Sequence, residues 1–102
     1  MPRQFWVYIL HCANNSFYTG YTVDIKRRYQ AHCAGTARCK YTQRFRPIRL
    51  LQCWEIMGTK SLAMKVERYI KQLTRKEKER LLADPNLLCA TFPACSILQE
   101  EH

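Results

Sequence analysis

The sequence predicts a small α+β domain: a three-stranded, mostly antiparallel sheet flanked by helices, in the order ββαβαα. Three observations carry this. Residues 5–21 hold two runs rich in β-formers around a short polar turn. A third apolar run follows Pro47. Apolar residues then recur at helical spacing after Asp24 and again after Thr59. A chain of 102 residues has room for one hydrophobic core, and 47% hydrophobic residues are enough to build it.

The elements follow in order. Phe5 to Cys12 reads as the first strand, Ala13-Asn14-Asn15 as a turn, and Ser16 to Tyr21 as the returning strand. A three-residue loop between Cys12 and Ser16 sets Tyr8 opposite Gly20 and diagonal to Tyr18, so both phenols share a face; a two-residue loop would separate them. Asp24 or Thr22 caps a helix that runs to about Ala34 and stops at Gly35. Thr36 to Pro47 is a polar, basic loop. Ile48 to Met57 forms the third strand, closed by Gly58. A second helix begins near Thr59 or Ser61, with Leu62, Val66, Tyr69, Ile70 and Leu73 on one side. Thr74 and Glu77 form a capping box that opens a third helix, ended by Asp84-Pro85-Asn86. The domain thus spans residues 1–84, and the apolar, nearly uncharged stretch 85–102 is an extension over the core or a tail.

Charge narrows the function. Lys and Arg number 17 against 8 Asp and Glu, a formal net charge of +9. Lys26 to Arg49 contains no acid at all; a second basic block runs from Lys60 to Arg80 around Glu67, Glu77 and Glu79. Such a field attracts polyanions by counterion release, which points to nucleic acid. No apolar run is long enough to span a bilayer, and no aromatic-bearing amphipathic helix accompanies the charge, so a membrane partner is not expected. The first residues lack the pattern of a secretory signal, which makes a cytoplasmic protein the expectation. Six cysteines without Cys-x-x-Cys pairs then read as reduced thiols rather than disulfides or a zinc site.

Five residues suggest a chemistry. Tyr8 and Tyr18 can handle protons, Arg28 can hold a phosphate, and Glu67 can hold a divalent metal, with His32 one turn beyond Arg28. Each has a plainer explanation. The tyrosines suit a cross-strand aromatic pair, Arg28 a solvated basic face, and Glu67 a helix ion pair with Lys71. Tyr8 serves as a base only if a cation lowers its pKa, and Arg28 is the candidate. Lys26, Arg27, Lys40, Arg44 and Lys71 are candidate phosphate contacts, while Tyr21, Tyr41 and Phe45 can stack on bases.

The ordered set of Trp6-Val7-Tyr8, Tyr18-Thr19-Gly20, Arg28 and Glu67 resembles the GIY-YIG endonuclease superfamily, above all its small stand-alone bacterial members, over about Phe5 to Leu82. Trp6 replaces the glycine of the first motif and Thr19 the isoleucine of the second. The resemblance implies a three-stranded sheet flanked by helices and metal-dependent DNA cleavage. It implies Tyr8 as general base or proton relay, Tyr18 as its support, Arg28 as the phosphate clamp, His32 at the usual Tyr or His position, and Glu67 as the ligand of Mg²⁺ or Mn²⁺. The asparagine that many members carry after the glutamate has no counterpart, since Asn86 lies beyond the third helix. So small a chain has no separate sequence-reading domain, so cleavage directed by DNA structure or damage is expected, with any targeting left to a protein partner. The competing readings are a nucleic-acid-binding module without turnover, acting on DNA or RNA, and a redox or zinc protein built on the cysteines.

Overall fold

A computed structural model describes residues 3–97. It contains β1 (Arg3–Cys12), β2 (Phe17–Thr22), α1 (Ile25–Ala34), α2 (Lys40–Arg44), β3 (Pro47–Gly58), α3 (Lys60–Lys71), α4 (Arg75–Ala83), α5 (Asn86–Thr91) and β4 (Cys95–Ile97). The strands form one antiparallel sheet in the order β2-β1-β3-β4.

β1 is buried on both sides, and its period-2 alternation divides the core. Phe5, Val7 and Ile9 join Trp54, Ile56, Ala63, Val66, Ile70, Leu81 and Leu88 in the larger cluster, beneath α3, α4 and α5. Tyr8, Leu10, Cys12 and Cys53 form the smaller cluster, against which Ile25 and Tyr29 of α1 pack. The hairpin register pairs Tyr8 with Gly20 and Leu10 with Tyr18, which leaves both tyrosines on the α1 face.

Local chemistry fixes the helix ends. The Asp24 side chain accepts from the Arg27 N–H, and Gly35, at φ 76°, ends α1 by donating to Ala31 and His32 carbonyls. Thr59 caps α3 by accepting from Leu62 N–H. Thr74 and Glu77 form a reciprocal capping box on α4.

Two expectations are corrected. The sheet has four strands rather than three: Cys95 to Ile97 pairs along Ile56 to Trp54, at the edge of β3. This strand is three residues long and follows Pro93, so it has too few positions for an alternation to register. Together with α5 it draws the apolar segment onto the core, where Leu88 and Cys95 are buried and Trp54 Nε1–H donates to the Pro85 carbonyl at 3.0 Å. Residues 98–102 of that segment lie outside the described residues. Second, the stretch read as a loop contains α2, whose N-cap Cys39 makes no side-chain capping hydrogen bond. Nothing local marks its start.

Candidate active site

Four elements converge on one hollow of about 310 Å³, lined by Tyr8, Tyr18, Gly20, Tyr21, Thr22, Arg28 and Glu67. β1 and β2 supply the tyrosines, α1 the arginine and α3 the glutamate. α3 packs along β1 and β2, which carries Glu67 to the same opening. The Tyr8 and Tyr18 ring centroids lie 6.5 Å apart.

Gly20 makes this geometry possible. A methyl group there would stand 2.5 Å from the Tyr8 hydroxyl oxygen and 2.7 Å from its ring carbon Cζ. The phenol passes across the strand only because residue 20 has no side chain.

Behind Tyr8 runs a buried polar chain. The Tyr8 oxygen lies 2.9 Å from His32 Nε2, and His32 Nδ1 lies 2.7 Å from Thr42 Oγ1. Thr42 in turn donates to the Cys39 carbonyl at 3.4 Å. With Thr42 donating onward, its oxygen accepts from Nδ1–H, and Nε2 is left as the acceptor for the Tyr8 hydroxyl. All three side chains are essentially buried. Burial, with help from Arg28, pushes His32 down to about 4, so the imidazole is neutral and its Nε2 lone pair is free.

Burial also raises the Tyr8 pKa above the ordinary 10.0, although Arg28 beside it pulls the other way. Desolvation of the phenolate outweighs the cation, so Arg28 does not by itself meet the condition under which Tyr8 would serve as a base. Tyr18 is raised too, by burial first and then by its hydrogen bond with the Cys39 thiol. The Cys39 thiol itself is lowered: burial opposes this, but the polar groups around the sulfur, the Tyr18 and Thr42 hydroxyls first and then the backbone at the start of α2, outweigh it.

Arg28 has one buried donor to spare. Its Nε has no hydrogen-bond partner among the described residues. A guanidinium N–H left unpaired in a hollow is suited to an anion. Glu67 is paired with Lys71, Oε1 to Nζ 3.3 Å, through the i,i+4 spacing. That is the plain helix pair anticipated above, yet the same carboxylate also faces the hollow.

The other candidate contacts divide. Tyr21 lines the hollow itself. Tyr41 stacks on Tyr18 at 5.9 Å and 19°, with Phe45 tilted against it and Arg44 over Phe45. The Tyr41 hydroxyl is also held by Ser16 Oγ and Asn14 Nδ2. Arg27 joins Arg28 and Arg38 around a second hollow of about 490 Å³ next to the first. Lys26 and Lys40 are exposed on α1 and α2, and Lys71 is engaged by Glu67. Thr42, Cys39 and Arg38 did not emerge as site residues from the sequence. The only available signal was their place in the acid-free basic stretch.

The GIY-YIG catalytic domain model matches residues 4–80. The chain belongs to the GIY-YIG family. It is 42% identical over 82 residues to a UPF0213 protein of Listeria innocua, covering 80% of this chain and 89% of that one. A UPF0213 protein of Natronomonas pharaonis is 44% identical over 84 residues, covering 82% and 96%. The solution structure of a UPF0213 protein from Bacillus halodurans matches with a TM-score of 0.50 and 37% identity, over 87% of this chain and 96% of that one. These relatives' names state no activity. Membership of the GIY-YIG family makes this a nuclease-type domain with nucleic acid as its substrate class. No helix among the described residues is long and apolar enough to cross a membrane.

Proposed function

We propose that this GIY-YIG protein is a metal-dependent DNA endonuclease of low sequence specificity, directed by the structure or damage of its substrate, and that it serves DNA repair, recombination or processing in the cytoplasm. The observation that carries this reading is the convergence of Tyr8, Tyr18, Arg28 and Glu67 on one hollow, with His32 directly behind Tyr8.

The donor set suits a hard divalent ion. Among the described residues no group of three His, Cys, Asp or Glu forms a protein cage, and the hollow offers one carboxylate. That matches Mg²⁺ or Mn²⁺, which keep waters and take substrate phosphate oxygens for their remaining positions. Glu67 would hold the ion, which when bound supplies positive charge opposite the leaving oxygen.

The chain's own groups do the rest. Arg28, with its spare Nε–H, clamps the non-bridging oxygens and neutralises charge as the phosphorane forms. Tyr8 orients the attacking water and relays its proton toward the neutral Nε2 of His32. Tyr18 supports that network from the facing strand. Lys26, Arg27, Lys40 and Arg44 hold flanking phosphates, Tyr21 and Tyr41 contact bases or sugars, and Lys71 turns to the backbone when Glu67 is engaged. Binding then falls steeply with salt.

A module that binds without cutting is the second reading; the Glu67–Lys71 ion pair and the missing family asparagine favour it. Nicked, branched and single-stranded DNA, with RNA counterparts, are incubated with Mg²⁺ or Mn²⁺ alongside Glu67→Ala. Cleavage lost in the variant while binding persists supports the nuclease. Binding without cleavage by the unaltered protein, across all substrates and both metals, overturns it in favour of the module.

A further inference from the structure

The two cysteines of the C-terminal segment meet. Cys89 on α5 and Cys95 on β4 are six positions apart, and their sulfur atoms lie 3.3 Å from each other. The turn between them is held by the Cys95 N–H donating to the Phe92 carbonyl at 2.9 Å. A disulfide needs about 2.05 Å between sulfurs, so closure asks for roughly 1.3 Å of side-chain movement. The pair lies across the sheet's β4 edge, outside the hollow described above.

Two ligands fall short of the four a structural zinc takes, and no third His, Cys, Asp or Glu joins them among the described residues. Their exposure differs in a useful way. Cys89 is partly exposed, while Cys95 is buried at 6%. One sulfur can therefore meet a reagent from solvent, and the other is positioned behind it.

We propose that Cys89 and Cys95 form a modification site: a vicinal dithiol that a low-molecular-weight disulfide oxidises to an intramolecular disulfide, stapling α5 to β4. The Cys89 thiolate attacks one sulfur of the reagent, forming a mixed disulfide and expelling one thiolate, which takes up a proton. The Cys95 thiolate then attacks Cys89 Sγ, breaks the mixed disulfide and expels the second reagent thiol. Two cysteine thiols are oxidised, one reagent disulfide is reduced to two thiols, and two protons pass to the products. Burial raises the Cys95 pKa, so the closing step quickens with alkaline pH.

The staple has something to hold. Phe92, between the two cysteines, packs edge-on against Tyr69 of α3 at 5.3 Å. Pro85, just before α5, accepts the Trp54 indole hydrogen bond. Closing the ring restricts the unfolded chain and fastens this corner to the helix that also carries Glu67.

The test uses the full chain, native and reduced, incubated with glutathione disulfide, then alkylated and mapped by non-reducing peptide mass spectrometry. The expected result is a Cys89–Cys95 cross-link with the other four thiols alkylated, and a melting temperature raised by roughly 10 °C that dithiothreitol reverses. Cys95→Ser is expected to stop at a glutathione adduct on Cys89. Should that variant unfold, Cys89→Ser serves instead and is expected to lose the cross-link while Cys95 stays unmodified. A stable glutathione adduct on Cys89 in the unaltered chain, cross-links to other cysteines, or two unreacted thiols would each overturn the proposal.

Discussion

Replacing Gly20 by alanine tests the hollow at its tightest point. The added methyl would sit 2.5 Å from the Tyr8 oxygen, 2.7 Å from Cζ and 3.2 Å from Cε2, whereas carbon–oxygen contacts relax near 3.5 Å. Relief asks the phenol to move by roughly 1 Å. It cannot do so freely, since Tyr8 is 1% exposed and hemmed by His32 and Tyr18 at ring distances of 5.9 and 6.5 Å. Gly20 does not have a positive φ, so the substitution acts by crowding and not through backbone strain. Overpacking of this kind costs about 1–3 kcal/mol, or a melting temperature lower by roughly 5–20 °C. A 1 Å displacement of the hydroxyl from its water and from His32 should reduce cleavage about 10²-fold. The assay pairs thermal unfolding with cleavage rates for Gly20→Ala, Tyr8→Phe and the double variant. Removing the hydroxyl deletes the 2.5 Å contact but keeps the 2.7 Å one, so the double variant should recover part of the lost stability and none of the activity. Unchanged melting and cleavage in Gly20→Ala would refute the close approach and the role given to the Tyr8 hydroxyl.

Other perturbations reach the same chain of groups from different sides. Thr42→Val leaves His32 Nδ1–H without its 2.7 Å partner; stability should fall by about 1–3 kcal/mol, and cleavage should fall further than in Thr42→Ser, which keeps the hydroxyl. Arg28→Lys retains charge but not the planar fork, so cleavage should drop at least 10-fold while duplex binding changes little, read by turnover against a gel-shift series. For pH, His32 has a folded pKa near 4 against 6.5 unfolded. The unfolded chain therefore binds the extra proton, stability is complete above about pH 6.5, and up to roughly 3 kcal/mol is lost as pH falls to 4. Denaturant titrations at stepped pH should show that loss in the unaltered chain and a flatter profile in His32→Gln.

What the sequence discloses depends on how local each cause is. Asp24, Thr59 and Thr74 cap their helices with their own side chains, within three residues, so the starts of α1, α3 and α4 can be read directly. The hairpin register is equally local, because the loop after Cys12 decides which face Tyr8 and Tyr18 share. α2 has no such mark. Cys39 supplies no capping hydrogen bond, and five residues are held in place by what they touch elsewhere: Thr42 by His32, Tyr41 by Tyr18. β4 likewise exists only because β3 extends far enough to offer an edge to Cys95–Ile97.

The same distinction bears on the proton chemistry of Tyr8, for which the sequence leaves base and relay both open. A cation nearby in the sequence pattern suggests a lowered phenol pKa, but burial is a sum over the whole fold, and here it dominates. A phenol raised above 10.0 keeps its proton at every physiological pH, so it cannot strip a water by acting as a standing base. It can still relay, provided its own proton has somewhere to go as the water's arrives. Nε2 of His32, 2.9 Å away and unprotonated above about pH 4, is that place. The imidazole's low basicity, to which the Arg28 cation contributes, then requires the two transfers to be coupled to phosphorus attack, when negative charge building at the phosphate offsets the imidazolium being formed. Cleavage should accordingly show a solvent deuterium isotope effect that weakens in His32→Gln, whereas a tyrosine acting without the histidine would leave it unaltered.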